Sequence, residues 1–252
     1  MTAATLAGRT IVVTGAARGV GKAIAEACAR QGARLVIGDI LVDRGEETAH
    51  ELRGAGAAVR FVPVDLSIPE SIEAFAQDIA QREGVVHGLV NNAAITNSGG
   101  PGFDELAIDI WDKVMSVNVR GTWLMVRALT PLLLKAGTGR IVNMASDTAL
   151  WGPPRGLAYV TSKGAVIAMT RSLARELGPR GIGICAIAPG IMRNEATDYV
   201  PRERHEEYER GRAVPGAQVP EDIADIVAFL LTPAALALTG QVLPTDAGFV
   251  FT

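Results

Sequence analysis

Hydrophobic residues follow two alternating patterns along the chain. Short apolar runs rich in β-branched residues predict buried parallel strands, and longer segments with one apolar face predict amphipathic helices. The predicted strands cover residues 10–15, 33–39, 59–67, 85–94, 139–146, 181–190 and 240–248. The predicted helices cover residues 19–32, 43–56, 69–84, 109–136, 157–178 and 220–232.

This alternation predicts a doubly wound α/β fold, in which a parallel sheet carries helices on both faces. No repeat or low-complexity linker interrupts it, so we expect a single domain over residues 1–252. Residues 191–218 break the rhythm, because they are polar and lie between a strand and the last helix. Such a segment predicts a lid over a site, and its run "PRERHEEYERGR" (201–212) is typical of a solvated helix face.

The composition argues against several classes of function. The net charge is −3 over 252 residues, so we expect no nucleic-acid surface. The two cysteines, Cys28 and Cys185, lie outside any Cys/His cluster and are expected to be buried thiols. No metal site is therefore expected. The absence of an apolar leader in "MTAATLAGRT" and of a membrane-length apolar run favours a cytoplasmic protein without a membrane span.

A glycine-rich segment, "TGAARGVG" (14–21), joins the first predicted strand to the first helix. Gly15, Gly19 and Gly21 permit a sharp turn there, and they allow a pyrophosphate to approach the backbone N–H groups at the helix start. An ordinary glycine turn would use the same residues, but the strand before it and the helix after it favour a dinucleotide site.

Asp39 ends the second predicted strand, where a carboxylate can accept hydrogen bonds from both ribose hydroxyls of an adenosine. It would also repel a 2′-phosphate, by on the order of 4 kcal/mol per charge pair at about 4 Å and an effective dielectric near 20. Arg18 can attract that phosphate, but an exposed ion pair contributes only about 0–1 kcal/mol. We therefore expect NAD rather than NADP. Asp65, after the third strand, fits either an adenine contact or a helix N-cap.

Tyr159 and Lys163 are four residues apart on a predicted helix, so they share one face. An ammonium group beside a phenol stabilises the phenolate, so the pKa of Tyr159 is expected to fall from about 10 towards neutrality. A phenol with that pKa suits general acid–base catalysis. Ser146 ends a strand thirteen residues earlier, at the sheet edge where ligands of open α/β folds bind.

Taken together, these motifs resemble the short-chain dehydrogenase/reductase family over nearly the whole chain. The matching segments are "TGAARGVG", "VDLS", "NNAA" (91–94), "SVNVRG" (116–121), the Ser146/Tyr159/Lys163 set and "PG" at 189–190. The resemblance implies a Rossmann-type fold of about seven parallel strands. It also implies a homotetramer assembled through the long helices at 109–136 and 157–178.

Carried over by position, the resemblance implies that Tyr159 is the catalytic acid/base and that Ser146 orients the substrate oxygen. Lys163 would lower the pKa of Tyr159 and bind the nicotinamide ribose. Asn118 would distort its helix so that its carbonyl holds a water linked to Lys163; a plain helix-surface asparagine is the alternative. The implied cofactor site comprises Gly15, Arg18, Gly19, Val20, Gly21, Asp39, Ile40, Asp65, Leu66, Asn92, Ala93, Tyr159, Lys163, Pro189, Gly190, Met192 and Asn194.

Two positions depart from the family pattern. Ala94 stands where members often have glycine, which should tighten the loop without preventing cofactor binding. Asn194 stands where many members have a threonine that binds the nicotinamide carboxamide. Asparagine can still donate and accept hydrogen bonds there, although its reach differs.

Three segments, at 96–103, 147–155 and 191–215, are expected to line the substrate pocket. Their apolar residues favour a compact, partly hydrophobic secondary alcohol or ketone, while Arg155 and Arg193 are candidate partners for a carboxylate. The predicted substrate contacts are Ser146, Asp147, Trp151, Tyr159 and Met192.

We therefore expect an NAD-dependent oxidoreductase that acts on secondary alcohols or ketones. An NADPH-dependent 3-oxoacyl-thioester reductase is the alternative that Arg18 favours. A dinucleotide-binding sensor without turnover is a third possibility, but it would not need the intact Ser146, Tyr159 and Lys163 set.

Overall fold

The strands form one parallel sheet within residues 5–97 and 100–252, the part of the chain that this computed structural model describes. In spatial order the sheet runs β3-β2-β1-β4-β5-β6-β7, and every neighbouring pair is parallel. The strands are β1 Thr10–Thr14, β2 Arg34–Asp39, β3 Val59–Pro63, β4 Gly88–Asn91, β5 Arg140–Met144, β6 Gly183–Pro189 and β7 Val242–Thr245. The predicted doubly wound α/β class is confirmed.

Helices cover both faces of the sheet. They are α1 Gly19–Arg30, α2 Val42–Gly54, α3 Pro69–Arg82, α4 Ile108–Met115, α5 Thr122–Lys135, α6 Thr148–Trp151, α7 Leu157–Leu177, α8 Arg202–Gly211 and α9 Glu221–Leu230. In β1, Ile11 and Val13 pack with the buried residues of α1 and α9, whereas Val12 packs with those of α3 and α5. Side chains alternate across a strand, so each strand contributes to both cores, and each fully buried aliphatic side chain stabilises the fold by about 1.5–3 kcal/mol.

The order of the strands determines where a ligand can bind. The chain builds outward from β1 to β3, then crosses to β4 on the other side of β1. Because all the strands are parallel, Thr14 at the end of β1 and Asn91 at the end of β4 meet at one edge of the sheet. A crevice at such a switch point is the usual ligand site of an open α/β sheet.

Several element boundaries differ from the predicted ones. The helix predicted over 109–136 is α4 and α5 joined by a π-helical segment, Ser116–Gly121. The strand predicted over 240–248 ends at Thr245, because the carboxylate of Asp246 accepts hydrogen bonds from the N–H groups of residues 248, 249 and 250 and turns the chain. The segment at 191–218 contains a 3₁₀ turn, Glu195–Thr197, and the helix α8.

Cys28 and Cys185 are free and buried, as predicted. Within residues 5–97 and 100–252, no helix combines the length and the hydropathy that a membrane crossing requires.

Candidate active site

The glycine-rich turn leaves β1 at Gly15 and enters α1 at Gly19. Both residues have positive φ, 67° and 55°, a conformation that favours glycine. A Cβ on Gly15 would lie 2.7 Å from the Cα of Ala93, so the close approach of two backbones also requires glycine. Within the described residues, no side-chain hydrogen bond caps α1. Its first N–H groups are therefore available to an anion.

Thr14 and Asn92 hold the turn against the end of β4. Thr14 Oγ1 accepts hydrogen bonds from the backbone N–H groups of Asn92 (3.1 Å) and Ala93 (3.2 Å). Asn92 Nδ2 donates to the carbonyl oxygens of Thr14 (2.9 Å) and Gly15 (3.0 Å). Asn92 therefore fixes the conformation of the glycine-rich turn, and it also lines the crevice.

Asp39 lies at the end of β2, beside the same turn. Its Oδ2 accepts a hydrogen bond from Ala17 N and its Oδ1 accepts one from Leu41 N, both at 3.0 Å. These two bonds orient the carboxylate, and each oxygen keeps a lone pair for a further donor. Ile40, the next residue, is 60% exposed, and Arg18 on the turn is also exposed.

Asp65 does not cap a helix, so that interpretation is wrong. Its Oδ1 accepts hydrogen bonds from Ser67 N (2.8 Å) and Ser67 Oγ (2.6 Å), which closes a turn after β3, and α3 begins only at Pro69. Leu66 is buried, and its Cβ would be 2.8 Å from a Cβ on Gly121. The adenine contact stays a prediction.

These features fit a dinucleotide. The glycine-rich turn leaves a space that a Cβ on Gly15 would fill. The start of α1 has no side-chain cap, and the Asp39 carboxylate is held in a fixed orientation at the end of β2. The pyrophosphate would approach the start of α1, and the ribose hydroxyls would approach Asp39.

Ser146, Tyr159 and Lys163 line one cavity beyond the ends of β5 and β6. Ser146 follows the end of β5, and the other two lie on α7. Lys163 Nζ donates a hydrogen bond to the carbonyl oxygen of Met144 at 2.7 Å and lies 5.6 Å from the centre of the Tyr159 ring. The three residues that the sequence predicted to form the catalytic set therefore lie around one cavity, and their catalytic roles stay a prediction.

The hydroxyl of Ser146 has several neighbours in the adjoining turn. Its Oγ accepts hydrogen bonds from Thr148 N (3.3 Å) and Thr148 Oγ1 (2.9 Å), and it donates to Asp147 Oδ1 (3.3 Å). The phenol of Tyr159 also interacts with Ser146. Thr148, which the sequence analysis did not identify, thus takes part in orienting the serine.

Burial changes the protonation expected at this site. It raises the pKa of Tyr159 above the ordinary phenol value, an effect that the hydrogen bond with Ser146 only partly opposes. Burial also lowers the pKa of Lys163 to about 8. The fall in the pKa of Tyr159 expected from Lys163 is therefore wrong for this structure, because desolvation by burial is the largest influence on the phenol and only the hydrogen bond with Ser146 opposes it. Tyr159 keeps its proton at neutral pH, as a proton donor requires.

Asn118 lies in the π-helical segment between α4 and α5 and is buried. Its Oδ1 accepts a hydrogen bond from Ile95 N (2.8 Å), and its Nδ2 donates to Ile95 O (3.0 Å) and Ser162 Oγ (3.0 Å). Ser162 Oγ donates in turn to the backbone carbonyl of Tyr159 (2.7 Å). The helix distortion expected from the resemblance is present, and the surface-asparagine alternative is wrong.

The cavity has a volume of about 650 Å³. Of the predicted site residues, it is lined by Val20, Asn92, Ser146, Asp147, Trp151, Tyr159, Lys163, Pro189, Gly190, Met192 and Asn194. The other predicted cofactor residues lie around the glycine-rich turn and the ends of β2 and β3. Within the predicted segment 96–103, residues 98 and 99 lie outside the described residues.

The segment at 191–218 contributes to the cavity wall and also contacts the nucleotide side of the crevice. Arg44 on α2 donates to Glu195 Oε1 at 3.0 Å, and a Cβ on Gly19 would lie 3.4 Å from Asn194 Oδ1. Arg193 pairs with Glu209, so it is committed to an ion pair away from the cavity lining. Arg155 lines the cavity and is exposed.

Asn194 has a structural role that its sequence position did not reveal. Its Oδ1 accepts a hydrogen bond from Ala196 N (2.8 Å) and its Nδ2 donates to Met192 O (3.3 Å), so it caps the 3₁₀ turn at Glu195–Thr197. Both polar atoms of the Asn194 side-chain amide are therefore engaged within the segment, which disfavours the suggested contact to the nicotinamide carboxamide.

The helix α8 has an exposed, charged face, as predicted from the sequence, and it also buries a second face. Tyr208 is 2% exposed: its ring stacks on Phe249 with centroids 4.1 Å apart, and its Oη accepts a hydrogen bond from Trp151 Nε1 at 3.0 Å. Arg212, just after α8, is 3% exposed. A lone tyrosine among charged residues was the one signal in the sequence that this helix buries a face.

A doubly wound sheet, a glycine-rich turn before α1, and a Ser/Tyr/Lys cavity at the switch point are typical of oxidoreductases that use a nicotinamide dinucleotide. A family model described as enoyl-(acyl carrier protein) reductase matches residues 15–250. The chain therefore belongs to the short-chain dehydrogenase/reductase family of oxidoreductases, whose members use nicotinamide dinucleotides.

Individual proteins support this assignment. A 3-alpha-(or 20-beta)-hydroxysteroid dehydrogenase of Mycobacterium tuberculosis H37Rv is 34% identical over 245 residues, which is 97% of this chain and 90% of that protein. A 3-oxoacyl-acyl-carrier-protein reductase of Thermotoga maritima is 31% identical over 249 residues, covering 97% and 99%. The crystal structure of a dehydrogenase/reductase from Sinorhizobium meliloti 1021 superimposes with a TM-score of 0.91 at 31% identity, covering 99% of this chain and 98% of that chain.

Proposed function

We propose that this protein transfers a hydride between NAD(H) and the carbinol or carbonyl carbon of a secondary alcohol or ketone. The observation that supports this most is the meeting of the Tyr159 phenol, the Ser146 hydroxyl and the Lys163 ammonium group around one cavity. When bound, the nicotinamide supplies or accepts the hydride.

The residues of the chain have distinct roles in this proposal. Tyr159 donates its phenolic proton to the carbonyl oxygen of a ketone, or takes the proton of an alcohol in the opposite direction. Ser146 holds the same oxygen by a hydrogen bond. Lys163, about half protonated near pH 8, supplies positive charge beside the ring of Tyr159. Asn118 donates a hydrogen bond to Ser162, which in turn donates one to the backbone carbonyl of Tyr159.

The preference for NAD rests on Asp39. Its carboxylate is held at the end of β2 by two backbone N–H groups, so it cannot easily turn away from a 2′-phosphate. Arg18 is exposed and therefore weakly placed to compensate for the repulsion.

The proposed substrate is compact and partly hydrophobic, because Trp151, Pro153 and Met192 contribute apolar surface to the cavity. A second candidate is reduction of a 3-oxoacyl thioester with NADPH, favoured by the similarity to the reductase of Thermotoga maritima. Both reactions use the same phenol and hydroxyl and differ in cofactor and acyl group. A dinucleotide-binding sensor without turnover would have no use for the Tyr159 phenol and the Ser146 hydroxyl in this arrangement.

Turnover of secondary alcohols with NAD tests the proposal. We expect reduced cofactor to accumulate, detected by its absorbance, with a panel of cyclic, aromatic and short aliphatic secondary alcohols. The matched arm uses NADPH and a 3-oxoacyl thioester, where we expect slower turnover. Faster turnover in that arm would favour the second candidate, and cofactor binding without turnover in either arm would favour a sensor.

We further propose that the chain is one domain with residues 191–218 as its lid, and that it works as a cytoplasmic homotetramer. Two separate exposed apolar faces support the tetramer. One includes Ile108 and Trp123 on α4 and α5, and the other includes Phe229 and Leu236 at and after α9. Light scattering of the purified protein should give a particle of four chains. A monomer at micromolar concentration would contradict this.

A further inference from the structure

A buried carboxyl group stands directly behind Ser146. Asp147 is 1% exposed and precedes the short helix α6. Its Oδ1 accepts a hydrogen bond from Ser146 Oγ at 3.3 Å. Its Oδ2 is buried and meets no donor with full hydrogen-bond geometry among the described residues, although the nearby Tyr208 hydroxyl is close enough to oppose in part the rise in the pKa of Asp147. A half-satisfied buried carboxyl group is costly, so such a group in an active-site wall calls for an explanation.

The carboxyl group is enclosed by four other parts of the fold. A Cβ on Gly190 would lie 3.3 Å from its Oδ2, which places that oxygen behind the cavity wall. The titratable and charged groups that face it are Tyr159 from α7, Tyr208 from α8, Arg212 after α8, and Asp246 after β7, and Arg204 on α8 lies near Tyr208. Asp147 also lines the cavity, so its predicted contact with a substrate stays a prediction, while its buried Oδ2 faces the protein interior.

The neighbouring cations do not neutralise Asp147. Arg212 donates its hydrogen bonds to the carbonyl oxygens of Asp246, Gly216 and Ile191. Arg204 pairs with Glu207. Burial therefore raises the pKa of Asp147 to about 7, and the nearby Asp246 carboxylate adds to the rise. Near neutral pH both protonation states of Asp147 are populated.

Ser146 has a single proton to donate. Thr148 N and Thr148 Oγ1 already donate hydrogen bonds to Ser146 Oγ. What can still change is which group accepts the proton of the Ser146 hydroxyl. An ionised Asp147 competes strongly for that proton, because hydrogen bonds to a carboxylate are about twice as strong as neutral ones. A protonated Asp147 competes weakly and leaves the serine proton free to point into the cavity.

We propose that Asp147 is a positioning residue: when it carries a proton, the Ser146 hydroxyl donates to the substrate oxygen, and when it is ionised, the hydroxyl is turned back to Asp147 Oδ1. This inference rests on the proposed function, in which Ser146 binds the reacting oxygen. Ketone reduction develops negative charge on that oxygen, so it benefits most from the donating orientation. No covalent step is involved.

The first test needs neither cofactor nor substrate. The carboxyl carbon of Asp147 is followed by NMR against pH in wild type and in Ser146→Ala, with Asp147→Asn to assign the signal. We expect a midpoint near pH 7 in wild type. Ser146→Ala should move it upward, because the serine stabilises the carboxylate by a hydrogen bond. A midpoint in the ordinary range of a carboxyl group, or one that Ser146→Ala leaves unmoved, would overturn the proposal.

The second test is the pH profile of kcat/KM for ketone reduction. In wild type we expect the rate to fall about tenfold as the pH rises through about 7, the range in which Asp147 loses its proton. Asp147→Asn cannot ionise, so this step should vanish, whereas the exposed control Asp198→Asn should keep it. A purely structural role would lower the rate of Asp147→Asn equally at every pH and would overturn the proposal. If wild type reduces no ketone, the proposed function fails, and the NMR titration still decides whether Asp147 and Ser146 are coupled.

Discussion

Replacing Tyr159 with phenylalanine is expected to lower kcat by about a hundredfold or more while leaving dinucleotide binding within about threefold of wild type. General acid–base groups contribute about 10²–10⁴-fold to rates, and the substitution removes only the phenolic oxygen. Burial keeps the Tyr159 proton on the phenol at neutral pH, so a ketone in the cavity would lose its donor. The measurement is steady-state turnover in both directions, with binding of NADH followed by fluorescence.

Tyr199 provides the matched control for this experiment. It also lines the cavity, but it is 45% exposed, and it lies in the segment at 191–218. Tyr199→Phe removes the same atom from the same cavity and should keep most of the activity. Equal losses in the two variants would indicate a general effect of phenolic groups in the cavity. Retention of wild-type kcat by Tyr159→Phe would contradict the assigned role.

Replacing Asp39 with asparagine is expected to shift the cofactor preference towards NADP by at least tenfold. The preference is measured as the ratio of kcat/KM for NAD to kcat/KM for NADP. The variant removes the repulsion of a 2′-phosphate, which is on the order of 4 kcal/mol per charge pair before solvent screening. It also weakens the hydrogen bonds to the ribose hydroxyls, since bonds to a charged acceptor contribute about 1.5–3 kcal/mol and neutral ones less. A tenfold change corresponds to only about 1.4 kcal/mol, which is well below the repulsion that the variant removes.

Asparagine is the suitable substitution because Asp39 also holds the chain. Its two oxygens accept hydrogen bonds from Ala17 N and Leu41 N. Asparagine keeps one of these two acceptors, whereas alanine would remove both and so disturb the glycine-rich turn more strongly. Asp43→Asn, an exposed acid in the first turn of α2, is the control and should leave the ratio unchanged. A wild-type enzyme that prefers NADP would refute the electrostatic argument outright.

Local patterns in the sequence were sufficient to predict the fold class and to point to the residues around which the cavity forms. Strand runs and helix periodicity depend on neighbours a few positions away, so β1 and α7 were predicted with small boundary errors. Because parallel strands end at a common edge, Ser146 could be expected near Tyr159 although thirteen residues separate them. The π-helical segment around Asn118 was expected only through the family resemblance, since nothing in its local composition indicates it.

The tertiary structure alone decided which side chains of the site are buried and which distant residues they contact. The sequence placed an ammonium group near the phenol of Tyr159, but the pKa of that phenol rises because the folded chain removes it from water, and no local pattern measures that. Asn194 caps the 3₁₀ turn at Glu195–Thr197, and the packing of that turn beside Gly19 is a contact between distant parts of the chain. Asp147 similarly gains its character from Tyr208 and Asp246, which are distant in sequence and packed against it only in the folded protein. The sequence by itself determined which chemical groups are present and on which elements they lie. Their solvation and their partners depend on contacts between distant elements, so only the folded chain could decide them.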